Sequence, residues 1–83
     1  MSKKKDRVAA SLAGRGMLTP GAQVTNTEEK RNLVYKIQEV DRKARRITLM
    51  SCNHYRAWGA VIIRPTFKTV AKRFMLVEPA PTN

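Results

Sequence analysis

Large apolar residues are few over the first thirty positions and apolar residues concentrate between Leu33 and Val77, where their spacing is two more often than 3.6. Leu33, Tyr35 and Ile37 share one face of a strand, with Lys36 and Gln38 on the other. Val40 falls out of phase, which a bulge can absorb. Ile47 and Leu49 restart the alternation with Arg46 and Thr48 pointing away, so Asp41-Arg42-Lys43-Ala44 reads as the turn of a hairpin. Upstream, Gly21-Ala22-Gln23-Val24-Thr25 predicts a short first strand. Downstream, Ala60-Val61-Ile62-Ile63 is continuous and β-branched, as in a strand buried on both faces, and Pro65 closes it. Phe74-Met75-Leu76-Val77 is a last strand-like run, ended by Glu78-Pro79-Ala80-Pro81. Between these two, Phe67, Val70 and Phe74 also fit one helical face.

A helical alternative exists for 32–50. Leu33, Ile37, Val40, Ala44 and Ile47 fall at spacings of 4, 3, 4 and 3, an amphipathic stripe that would make the fold α+β. Val34, Tyr35, Thr48 and Leu49 then lie on the wrong faces, and the β reading is preferred. Lys3 to Ala13 could form two or three helical turns ended by Gly14 and Gly16. A helix this short is unstable alone in water. The expected organisation is a flexible basic arm over 1–17, a small folded domain over 18–79 and a tail over 80–83.

Five short strands in so short a chain protect their edges best by curling into a small barrel. In this strand rhythm, from about Leu18 to Pro79, the chain resembles an SH3-like small β-barrel, the shape shared by Tudor, KOW and many phage or plasmid accessory proteins. The resemblance implies a mainly β, five-stranded fold and leaves the function open.

Charge narrows the function. Seventeen Lys and Arg against six Asp and Glu leave a formal +11 on 83 residues. A body this small repels itself at that charge unless a polyanion screens it, and DNA and RNA are the commonest polyanions. The apolar fraction of 42% argues against wholesale disorder. The longest apolar run, Trp58 to Ile63 counting Gly59, is far below the roughly 18 residues of a membrane span. Cys52 has no second cysteine to pair with, which fits a reducing, cytoplasmic setting.

The densest cations are Arg42, Lys43, Arg45 and Arg46 at the expected hairpin tip, where phosphates could bridge them and arginine supplies planar bidentate donors. A charged, solvated turn that protects a sheet edge has the same composition. Tyr55 and Arg56 precede Trp58, and an aromatic face beside a cation suits base stacking, although Trp58 fits a core position. Arg64, Lys68, Lys72 and Arg73 form a second basic set. On a helix, Lys68 and Lys72 would lie at i, i+4 on one exposed face, equally the ordinary solvated side of a helix. Cys52 and His54 supply two potential metal ligands where zinc needs three or four, and no third group orients them as a nucleophile. Glu39, Asp41 and Glu78 have no paired acid/base spacing, and no phosphate-binding glycine loop occurs. The residues therefore point to a non-enzymatic protein without metal or cofactor that contacts nucleic acid, DNA or RNA, through its basic surface. The alternative is an adaptor or inhibitor docking on an acidic protein surface of a larger nucleic-acid enzyme.

Overall fold

A computed structural model describes residues 3–30, 33–51 and 61–81. Its elements are α1 (Lys3–Gly14), β1 (Gln23–Asn26), β2 (Val34–Asp41), β3 (Arg46–Ser51), β4 (Ile62–Ile63), α2 (Phe67–Arg73) and β5 (Phe74–Glu78). The chain is mainly β: its five strands form one antiparallel sheet in the order β4-β3-β2-β1-β5, with two short helices.

The hairpin forms where the alternation placed it. Tyr35 and Ile37 on β2 and Ile47 and Leu49 on β3 are all buried, while Lys36 and Arg46 are exposed. Ile37 pairs with Leu49 and Val40 with Ile47, so the register slips by one residue between them. That bulge returns Val40 to the buried side. Residues 34–41 and 46–51 are strands, so the amphipathic helix over 32–50 does not form; the helical content of the fold lies in α1 and α2.

The strand expected to be buried on both faces is a two-residue edge strand instead. Ile62 points outward, 59% exposed, and Ile63 is half-buried against the core. A β-branched run alone does not distinguish a central strand from an edge one, and here, among the described residues, β4 has a neighbour, β3, on one side only. The pairing line nevertheless runs on past Pro65. Ser51 N–H donates to the Val61 carbonyl, Ile47 N–H to the Pro65 carbonyl, and Arg46 bridges Thr66. Proline is tolerated there because an edge position needs no outward N–H. Buried Ser51 accepts the Val61 N–H on its Oγ at 2.9 Å, so its hydroxyl is satisfied.

α2 starts at a capped end. Thr66 Oγ1 accepts the Thr69 N–H, satisfying one of the donors a helix start leaves unpaired. Phe67 and Val70 are buried and Phe74 follows them onto the core face, the helical spacing seen in the sequence. Phe74 meets Tyr35 edge-on at a centroid distance of 6.0 Å.

Two features depart from the expected organisation. The five strands do not close: β4 and β5 lie at opposite ends of the sheet order. The segment expected to trail as an arm packs as α1 against α2, with Leu12 and Met17 fully buried and Leu18 nearly so. Val8 and Ala9 flank that core. Three large side chains over 12–18 suffice to dock the helix, since tertiary burial stabilises a segment too short to be helical alone. Gly16, at φ +76°, makes the turn that returns Met17 into the core, where its N–H bonds the Leu12 carbonyl. At the other terminus Ala80 also packs on the core.

Candidate functional site

The β2–β3 loop spans 42–45, between the paired residues Asp41 and Arg46. Asp41 Oδ1 accepts the Ala44 N–H at 2.9 Å, a local bond that fixes the turn. Arg45 closes the loop in the left-handed region at φ 57°, unusual for a residue with a side chain. Arg42 and Lys43 stand exposed at the tip.

The four tip cations do not all point outward. Arg45 is half-buried, its guanidinium 5.2 Å from the centre of the Phe67 ring, while its carbonyl accepts the Phe67 N–H. Arg46 extends along the sheet end to donate to the Arg64 carbonyl at 2.7 Å. These contacts set the start of α2 against the base of the hairpin. They gather Arg42, Lys43, Arg45 and Arg46 with Arg64 and Lys68, eighteen or more positions along the chain from Arg46. Arg42, Lys43, Arg64 and Lys68 are exposed, and among the described residues no carboxylate pairs with any of them. Asp41, at the base of the loop, is engaged by the Ala44 N–H.

The second basic set is divided by the helix. Lys68 belongs to the hairpin end, whereas Lys72 and Arg73 sit in the last turn of α2, where cations oppose the helix dipole favourably. Arg73 lies 3.5 Å from Glu28, both well exposed. Its carbonyl accepts both the N–H and the hydroxyl of Thr27. Arg15, which the sequence assigned to the arm, donates to the Ala71 carbonyl at 3.2 Å and to Ser11 Oγ. It ties α1 to the end of α2; only the three-dimensional contact identifies that role.

Tyr55 and Arg56, together with Cys52, His54 and Trp58, lie outside the described residues. Among the described residues no group of three His, Cys, Asp or Glu could hold a metal ion, and no helix is long and apolar enough to cross a membrane. A cleft of about 190 Å3 between Gly21, Gln23, Lys36, Glu78 and the two C-terminal prolines presents one amine and one carboxylate on separate strands. No family model, curated protein or solved structure matches the chain.

Proposed function

We propose that this chain is a small, non-enzymatic, cytoplasmic accessory protein that binds nucleic acid by its phosphate backbone at the hairpin end of the sheet. The observation that carries the reading is the convergence of Arg42, Lys43, Arg46, Arg64 and Lys68 on one end of the molecule, from two segments distant in sequence. Like charges gathered this way repel, and phosphates between them convert the repulsion into binding energy as counterions are released. Support for an SH3-like architecture comes from the placement of β5 beside β1, with a short helix between β4 and β5. Contacts to sugar and phosphate then supply most of the affinity.

Titration against duplex DNA, single-stranded DNA and RNA over a range of salt tests the reading. Four to six phosphate contacts give a slope of log K against log salt of roughly −4 to −5 on duplex DNA. A flat slope, or no binding at low salt, overturns it and favours an acidic protein surface as the partner.

A further inference from the structure

We propose that β5 is a self-association edge, on which two copies of the chain pair strand to strand about a two-fold axis. The sheet has two edge strands, and they are unequally defended. β4 is two residues long and runs directly into Arg64 and Pro65. Short length, a cation and a proline are the devices that keep an edge from templating another strand. β5 is five residues, Phe74–Glu78, with no Lys, Arg or Pro among them; the first proline, Pro79, follows it. Among the described residues β5 pairs with β1 alone, and on its other side only the Phe74 N–H, which donates to the Val70 carbonyl, is engaged.

The side chains argue for a second copy as the occupant. Phe74 is buried and Leu76 half-buried, while Met75 and Val77 are 53% and 51% exposed, two adjacent apolar groups on the outer face of an edge. An antiparallel pairing centred on Leu76 sets Met75 opposite Val77 of the partner subunit, and the symmetry makes that apolar pair twice. A chain of charge +11 repels its copies over most of its surface; β5 itself carries no Lys or Arg, although Lys72 and Arg73 immediately precede it. The inference does not depend on nucleic-acid binding, and salt separates the two. Screening relieves repulsion between copies and strengthens the dimer, whereas it weakens phosphate contacts.

Light scattering on the full chain after size-exclusion, at rising protein concentration in low and high salt, tests this. The expected result is a molar mass that doubles as salt is raised. Val77→Lys and, separately, Met75→Lys then remain at the monomer mass under every condition while keeping the parent's melting temperature and DNA salt slope. The two positions are exposed, so either variant can be read even if the other folds poorly. A chain that stays monomeric at high salt and high concentration overturns the proposal. So does a dimer that persists in both folded lysine variants, which would place the interface elsewhere.

Discussion

The two ends of α2 carry similar numbers of cations in different circumstances. At its C-terminal end Arg73 faces Glu28, and Arg15 donates to the Ala71 carbonyl. Those cations are engaged in joining α1, α2 and the loop after β1. At its N-terminal end Arg42, Lys43, Arg64 and Lys68 accumulate with no carboxylate paired to them among the described residues. Charge density along the sequence is therefore a poor guide to which cations are available to a ligand. Their surroundings decide it: one set is engaged in contacts within the fold, and the other gathers like charges with no carboxylate paired to them among the described residues.

The largest effect should come from breaking the packed end. Leu12 is fully buried where α1 meets the core, so Leu12→Ala removes buried methyl groups and leaves a cavity, at a cost of about 2–5 kcal/mol. Urea denaturation reads this directly. An unchanged midpoint would mean that α1 trails as a loose arm. Binding by the folded fraction should be unaltered, because none of the hairpin cations is touched.

The comparison between the two ends can then be made with two double variants. Replacing Arg42 and Lys43 by Ala should make the DNA salt slope shallower by about two units, with stability changed by less than about 0.5 kcal/mol. Replacing Lys72 and Arg73 by Ala should leave the slope in place and cost at most about 1 kcal/mol, since an exposed ion pair contributes little. Equal slopes in the two variants would erase the distinction between the ends.

Much of the fold was legible in period-two spacing. Leu33 to Ile37 and Ile47 to Leu49 marked the hairpin, and the phase error at Val40 marked its bulge. The helical spacing of Phe67, Val70 and Phe74 marked α2. What pattern could not carry was partnership. Ile62 and Ile63 are β-branched whether a strand has one neighbour or two, and Leu12 looks isolated until Val70 and Phe67 come into view. The site divides in the same way. The tip cations were visible as a cluster, but Arg45 leaning on Phe67, Arg46 bonding the Arg64 carbonyl and Arg15 tying α1 to α2 arise from contacts across 18 to 56 residues.

Thr66→Ala probes the junction between the two regions. It removes the oxygen that accepts the Thr69 N–H and should cost about 1 kcal/mol, readable as a lower urea midpoint. Because the junction holds Lys68 near the hairpin, the salt slope should also become slightly shallower. A loss of stability without any change in slope would show that Lys68 reaches phosphate from a frayed helix as well as from a capped one.

Arg45 gives the smallest and most discriminating effect. Its left-handed backbone costs a residue with a side chain roughly 1 kcal/mol relative to glycine. Its guanidinium over Phe67 returns about 0.5–1 kcal/mol. Arg45→Gly loses the ring contact and relieves the backbone, so its stability should fall within about 0.5 kcal/mol of the parent. Arg45→Ala loses the contact and keeps the strain, and should be the less stable of the two by about 1 kcal/mol. This order reverses the usual preference for alanine over glycine, so it isolates the backbone term from the loss of the side chain. Should alanine prove equal to or better than glycine, the loop does not hold a left-handed residue at 45, and the route by which the hairpin meets α2 would have to be redrawn. Both variants lack the same cation, so their DNA salt slopes should agree with each other whatever their stabilities.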